Sequence, residues 1–270
     1  MGRFLLDPPV NATDTSLTES SPTCLEIPPM SFGGAADDYE LSSGYGFAAD
    51  AARSERATFI RRTYAHLLTA VLIFCGIEGI FQTVEPLERL LVGLIGGHWY
   101  IAFFLFMGAS WLAQSWASSD ASSTGKQYLG LGLYVLAEAL IFVPLLWYAK
   151  QLDGNVLPMA GLITAVIFGG LSAAVFVSGA DFSFLRGALA IGSFAAFGVI
   201  IAGWLFGFSL GLWFSVGMIV LMSGSILYNT SNVLHHYRTH QHVAASLALF
   251  ASVATLFYYV VMLLGFAGDD

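Results

Sequence analysis

The chain has 270 residues, of which 57% are hydrophobic and only 10% are charged. Because an ordinary soluble domain is about one-quarter charged, this composition excludes a soluble globular protein and predicts an integral membrane protein. The chain carries 10 Lys and Arg against 18 Asp and Glu, for a formal net charge of −8, so it offers no basic surface for nucleic acid.

Residues 1–55 form a polar and acidic N-terminal segment. The first 50 residues contain eight acidic side chains and one basic side chain. They show neither helical nor strand periodicity, and their apolar area is too small to offset the entropy lost on ordering. We therefore predict a disordered tail, for which two roles are open: a solvated linker or a docking segment for a partner.

From residue 56 onward the chain is a succession of apolar blocks, each long enough to cross a bilayer as a helix of about 20 residues. Because lipid cannot satisfy free backbone groups, every block must be helical and the fold is all-α. We predict a transmembrane domain over residues 56–270 with seven helices. Their expected bounds are 63–83, 94–117, 127–149, 157–178, 186–206, 209–232 and 243–266.

The positive charges favour a cytoplasmic N-terminus. In that orientation seven of the nine bases that follow residue 50 flank cytoplasmic ends, as the positive-inside rule requires, and only Arg89 and Lys150 lie outside. The seven are Arg53, Arg56, Arg61, Arg62, Lys126, Arg186 and Arg238. Seven spans then place the C-terminus outside.

Small residues recur in the fourth and fifth blocks, among them Gly161, Gly169, Gly170, Gly192 and Gly198. In lipid such residues let helix backbones approach closely. The pattern indicates either tight helix packing or a helix that moves.

Several segments carry a resemblance to a known family. TAVIFGGLSAAVFVSGADFSFLRGAL (residues 164–189) is similar to the end of the fourth span and the following loop of the Bax inhibitor-1, or transmembrane Bax inhibitor motif, family. Glu138 followed by Pro144, ILYNTSNVLHH (226–236) and SLALFASVATLFYYVVMLLG (246–265) resemble three further family segments. The resemblance covers about residues 56–267.

The resemblance implies six helices around a central seventh and a pH-sensitive Ca²⁺ leak, latched by two aspartates that share a proton. Asn229 and Ser252 stand at the matching positions. An amide and a hydroxyl do not titrate near neutral pH, so the family's latch cannot operate here in that form. We group Thr255, one turn beyond Ser252, with this latch-equivalent pair. The group either holds helices together through polar contacts or lines a residual permeation path.

Glu78 and Glu138 are the acidic residues inside the predicted spans. A carboxyl group in the bilayer is costly and is by default a functional candidate. Glu138, at the centre of its helix, is expected to be a proton or cation site facing a cavity, or else a protonated carboxyl that donates an interhelical hydrogen bond. Glu78 is expected near the outer interface, where it is exposed to water.

Four histidines lie in the loop after the sixth span: His235, His236, His240 and His242. Histidine titrates near neutral pH and binds transition metals, but no cysteine or carboxylate accompanies the cluster in the loop. Three interpretations are open: a pH-sensing loop, a metal site and a solvated basic loop.

The sequence contains no motif of hydrolytic or phosphoryl-transfer chemistry, so we expect no catalytic residues, no cofactor and no enzyme. The favoured interpretation is a leak channel for Ca²⁺ or another cation with an altered, carboxylate-free latch. The alternative is a non-conducting regulator that binds a membrane-bound quality-control protease or another stress-response membrane protein. We expect the protein to lie in the lipid bilayer, and as its location we prefer a bacterial inner membrane to a eukaryotic endomembrane.

Overall fold

The computed structural model describes residues 47–49, 51–118, 124–152 and 154–267. Most of the predicted tail lies outside these ranges. The helices of the described chain are α1 (Arg53–Thr83), α2 (Glu85–Gly97), α3 (Trp99–Ser118), α4 (Thr124–Gln151), α5 (Val156–Ser178), α6 (Leu185–Phe206), α7 (Leu212–His235) and α8 (His242–Ala267). An isolated bridge between Phe47 and Arg238 is the one β-pairing in the described ranges. The predicted all-α class is confirmed.

Six of these helices, α1 and α4 to α8, are long and apolar enough to cross a membrane. The remaining two, α2 and α3, are bent by 96° relative to each other and satisfy the combined requirement of length and hydropathy only as a pair. The protein is thus an integral membrane helical bundle, and its described residues contain six candidate spans, or seven if the bent pair forms one.

The bend between α2 and α3 corrects the predicted second span of 94–117. Glu85 and Pro86 begin a separate helix, where proline suits the first turn and an acidic side chain complements the helix dipole. This helix ends at Gly97, and α3 starts after His98. Residues 94–97 therefore belong to α2. The prediction missed this boundary because hydropathy alone does not reveal where a new helix starts inside an apolar block.

Two glycines end helices in the left-handed conformation. Gly179 has φ 60° and donates its N–H to Val175 at the end of α5, and Gly207 has φ 70° and donates to Gly203 at the end of α6. Glycine adopts this conformation without a Cβ penalty. Gly207 confirms the predicted break between the fifth and sixth apolar blocks, although α7 begins at Leu212 rather than at residue 209.

The last helix, α8, packs against α1, α3, α4, α5 and α7. Its Leu249, Phe250, Leu256 and Val260 are almost fully buried. Phe74 of α1 lies with its ring centroid 6.0 Å from that of Phe250, and Phe142 of α4 stacks on Phe257 at 5.9 Å. The core is therefore built around α8.

Candidate functional site

A polar network joins α7 to α8. The side-chain amide of Asn229 donates to the Ser252 hydroxyl at 2.9 Å and to the carbonyl oxygen of Ala248 at 3.3 Å. The hydroxyl oxygens of Ser225 and Ser252 lie 3.1 Å apart. Ser252 is buried, at 3% exposure. The hydrogen bond that the sequence allows between Asn229 and Ser252 is therefore formed, within a network made of neutral groups.

Thr255 lies apart from this network. Its hydroxyl donates to the carbonyl oxygen of Ala251 in its own helix at 2.8 Å, and its side chain lines the cavity beside Glu138. The group proposed from sequence thus divides into the pair Asn229 and Ser252 and a separate Thr255.

A second polar cluster lies at the end of α7 and centres on Asp181 in the loop between α5 and α6. One Asp181 carboxylate oxygen accepts the backbone N–H of Ser183 at 2.9 Å and the Ser231 hydroxyl at 3.2 Å. His236 approaches the other oxygen at 3.1 Å. The Ser231 oxygen accepts the backbone N–H of Phe182 at 2.9 Å. The loop is thereby tied to α7.

These contacts set the charge state of Asp181. The N–H of Ser183, followed by the imidazole of His236, holds the pKa of the Asp181 carboxyl well below its usual range, at about 2. Asp181 is therefore ionised at neutral pH. Sequence reasoning assigned it no role, because its partner His236 lies 55 positions away and no local pattern links the two. The sequence signal that could have pointed to Asp181 is the order Asp-Phe-Ser, because an aspartate can accept the backbone N–H of the residue two positions later.

The four histidines of the loop after the sixth predicted span lie beside different neighbours. The Nδ1 atom of His235 lies 3.1 Å from the carbonyl oxygen of Ser231, and His236 pairs with Asp181. The ring of His242 lies 5.0 Å from that of His66 in α1. His240 lines a surface cavity together with Arg62 of α1. Among the described residues no three His, Cys, Asp or Glu side chains are arranged to hold a metal ion.

Glu138 is 4% exposed and lines a half-open cavity of about 360 Å³. The hydroxyl of Tyr134, one turn earlier, is a hydrogen-bond partner of its carboxyl group. The other oxygen, Oε2, has no hydrogen-bond partner within the described part of the chain. Thr255 and Ser215 bring hydroxyls to the same cavity. Most of the other lining side chains are apolar or aromatic: Phe103, Phe106, Ile141, Phe142, Ile200, Leu210, Phe214, Tyr258, Tyr259 and Met262.

Glu78 is buried, at 4% exposure, which corrects the expectation that it faces water. Neither of its oxygens has a hydrogen-bond partner within the described ranges. One turn further along α1, the Gln82 side chain donates to the carbonyl oxygen of Val143 at 3.3 Å, and Lys150 donates to the carbonyl oxygen of Gln82 at 2.7 Å. These contacts join α4 to α1 one turn beyond Glu78.

Comparison with known proteins identifies the family of the chain. The family model of inhibitors of apoptosis-promoting Bax1 matches residues 56–269. A modulator of the FtsH protease from Escherichia coli, YccA, is 31% identical over 214 residues, 78% of this chain and 91% of that protein. An uncharacterised Pseudomonas aeruginosa protein is 31% identical over 235 residues, 86% and 97% of the two chains. Bax inhibitor 1 of Schizosaccharomyces pombe is 26% identical over 222 residues, 80% and 79% of the two chains.

Proposed function

Since this chain belongs to the Bax inhibitor-1 family, we propose that it is a membrane regulator that acts by binding another integral membrane protein. A membrane-bound protease is the partner class that we favour, because a relative covering 78% of this chain is a modulator of the FtsH protease. The proposed role is binding rather than catalysis.

The Asn229–Ser252 hydrogen bond is the observation that carries this proposal. The resemblance places a proton-sharing carboxylate pair at these positions, and two close carboxylates titrate as a coupled pair. Here the 2.9 Å contact joins an amide to a hydroxyl, and neither group changes charge near neutral pH. A pH-gated leak would therefore lack a titrating latch at this point. For this reason we favour the non-conducting regulator over the leak channel that the sequence analysis favoured.

The proposal includes an orientation. It gives the chain seven spans, with the bent pair α2 and α3 as one of them, the N-terminus in the cytoplasm and α8 packed against α1, α3, α4, α5 and α7. Arg186 and Arg238 then face the cytoplasm, as the positive-inside rule favours. A bacterial inner membrane is the proposed location, since the Escherichia coli and Pseudomonas aeruginosa relatives are bacterial.

Co-reconstitution tests the proposed function. The full chain is placed in liposomes with the FtsH-type protease of the same organism, and degradation of a membrane-protein substrate is followed. We expect the degradation rate to change with the amount of the chain, and an unrelated multi-span protein to leave it unchanged. A rate that is independent of the chain, together with no co-purification of the two proteins, would rule out a protease partner.

A second candidate function is binding of a proton or cation at Glu138. It is favoured by the unpartnered Oε2 atom in a cavity that also receives the hydroxyls of Thr255 and Ser215. Carboxylate and hydroxyl oxygens suit a hard cation such as Ca²⁺. A bound cation would raise the melting temperature of the folded protein. The test compares Ca²⁺-dependent thermal shifts of the wild type and Glu138→Gln, and equal shifts would exclude this site.

A further inference from the structure

A polar pocket of about 380 Å³ lies where α6 begins and α7 ends. Its lining includes Arg186 of α6, Tyr228 and Asn232 of α7, and His236 directly after α7. The last three follow one another at a spacing of four, which places them along one face at the end of α7. The pocket therefore collects side chains that can donate hydrogen bonds: a guanidinium, a phenol, an amide and an imidazole.

The donors of Arg186, Tyr228 and Asn232 are not used inside the described part of the chain. There the Arg186 guanidinium makes no ion pair, and the side chains of Tyr228 and Asn232 make no hydrogen bond. Arg186 is exposed and the other two residues are half-buried, so a ligand can reach all three from outside. The pocket thus offers donors without supplying the acceptors that would satisfy them.

The lining of this pocket carries a positive charge. Arginine stays protonated throughout the physiological pH range, and no acidic side chain is among the described residues that line the pocket. The Asp181 carboxylate is close by, but its oxygens are already engaged by the Ser183 N–H, the Ser231 hydroxyl and the His236 imidazole. Arg186 is therefore left without a counterion, and an anion is the ligand that would supply one.

The level of the pocket in the membrane selects the kind of anion. At 1.5 Å per residue the 22 residues of α6 span about 33 Å, close to the hydrocarbon thickness of about 30 Å. Arg186, the second residue of α6, and His236, directly after α7, therefore lie at the level of the lipid headgroups. Tyr228 lies eight residues before His236, about 12 Å deeper. Basic pockets between spans at this level bind anionic headgroups.

We propose that this α6–α7 pocket binds a phosphate group, held by the Arg186 guanidinium and by the neutral donors of Tyr228 and Asn232. A guanidinium presents two parallel N–H groups that match two oxygens of a phosphate. The phosphate has two sources at this level, the headgroup of an anionic phospholipid and a soluble phosphate compound. The inference is independent of the proposed function, because the ligand is a lipid or a solute and not a protein partner.

Lipid titration of the full chain tests the pocket. The chain in detergent is titrated with phosphatidylglycerol, and native mass spectrometry counts the bound lipid. We expect Arg186→Gln to weaken binding about tenfold, equivalent to about 1.4 kcal/mol.

Arg61→Gln is the matched control for charge. Arg61 is exposed and is not a lining residue of the pocket. It lies at the same end of the bundle, since the next residue, Arg62, lines a cavity together with Thr239 of the loop after α7. We expect Arg61→Gln to bind as the wild type does. An equal loss in both variants would assign the binding to the general charge of this surface and would overturn the proposal.

Tyr228→Phe tests the neutral donors and does not alter the charge. The variant keeps the ring and removes one hydroxyl, so we expect a loss of affinity smaller than that of Arg186→Gln. It keeps the test decisive if Arg186→Gln does not fold. An unchanged affinity in both Tyr228→Phe and Asn232→Ala would contradict the assigned role of these donors.

Thermal melting then identifies the source of the phosphate, because a ligand that binds the folded state raises its melting temperature. Phosphatidylglycerol in mixed micelles and inorganic phosphate are added separately to the wild type and to Arg186→Gln. A rise with the lipid alone identifies a headgroup, a rise with inorganic phosphate alone identifies a soluble compound, and a rise with both supports the shared phosphate chemistry. No rise with either ligand, or an equal rise in Arg186→Gln, would overturn the proposal.

Discussion

The side-chain amide of Asn229 in α7 donates a hydrogen bond of 2.9 Å to the hydroxyl oxygen of Ser252 in α8. The contact crosses the interface between two helices of the core, and Ser225 adds its hydroxyl at 3.1 Å from the same serine oxygen. The network makes a fixed, uncharged link at the place where the family resemblance implies a titrating one.

Removing the amide tests the strength of this link. We expect Asn229→Ala to lower the free energy of unfolding by about 1 kcal/mol or more, because an interhelical hydrogen bond in lipid contributes about 0.6 kcal/mol on average and the amide donates to both Ser252 and Ala248. Ser223→Ala is the matched control, because the Ser223 hydroxyl donates to Ile219 of its own helix. Thermal unfolding in detergent compares the two, and equal losses would mean that the interhelical bond adds nothing.

A glycine at the contact of α3 with α4 gives a packing prediction. A Cβ atom on Gly130 would lie 2.6 Å from the carbonyl oxygen of Ala113 and 3.2 Å from the backbone nitrogen of Ala117. Because backbone atoms cannot move aside as a side chain can, we expect Gly130→Ala to cost about 1–3 kcal/mol of unfolding free energy.

Gly132, two residues further along α4, provides the control for Gly130. A Cβ atom there meets no atom within 4 Å, so Gly132→Ala should be neutral or stabilising by up to about 1 kcal/mol, the helix preference of alanine over glycine. Melting temperatures that fall equally in both variants would show that the close α3–α4 approach does not determine the effect.

The Asp181 cluster predicts an acid-sensitive loop. Folding lowers the pKa of Asp181 from 3.8 to about 2, so its ionised form stabilises the folded state above pH 3.8, and that contribution is lost as the pH falls toward 2. The melting temperature of Asp181→Asn should therefore fall less than that of the wild type as the pH is lowered over this interval. Circular dichroism melts across the interval measure the difference, and parallel curves would contradict the role of Asp181.

His236→Gln tests the partner of Asp181 separately. The Ser183 N–H, which is the main cause of the lowered pKa, is kept in this variant, so acid sensitivity should decrease but persist. A complete loss would assign the effect to the imidazole instead.

The sequence predicts most helices better than the contacts between distant residues. It places the start of α1 at residue 63, whereas the helix begins at Arg53, inside the predicted tail of 1–55. Hydropathy places α4 and α8 within about three residues of their observed ends because burial in lipid needs long apolar runs. It misses the 96° bend after Gly97, since both helices are apolar there. It places Glu78 near water because position along a helix does not reveal which helices pack beside it, and here Gln82 and Lys150 join α4 to α1 one turn beyond Glu78.

The candidate site residues show the same difference between local patterns, which the sequence reveals, and contacts between distant residues, which it does not. Asn229 and Ser252 are recognised through their alignment with a family motif, and the structure joins them directly. Asp181 is missed, because its three partners come from its own loop, from α7 and from the residue after α7.

Calcium flux into dye-loaded proteoliposomes tests the central claim most directly, at about pH 6, 7 and 8, which span the titration of histidine. The account predicts that the wild type passes no more Ca²⁺ than protein-free liposomes, and that the double variant Asn229→Asp and Ser252→Asp passes Ca²⁺ in a pH-dependent manner. A wild-type leak that Glu138→Gln abolishes would contradict the account and identify the protein as a channel with its ion site at Glu138.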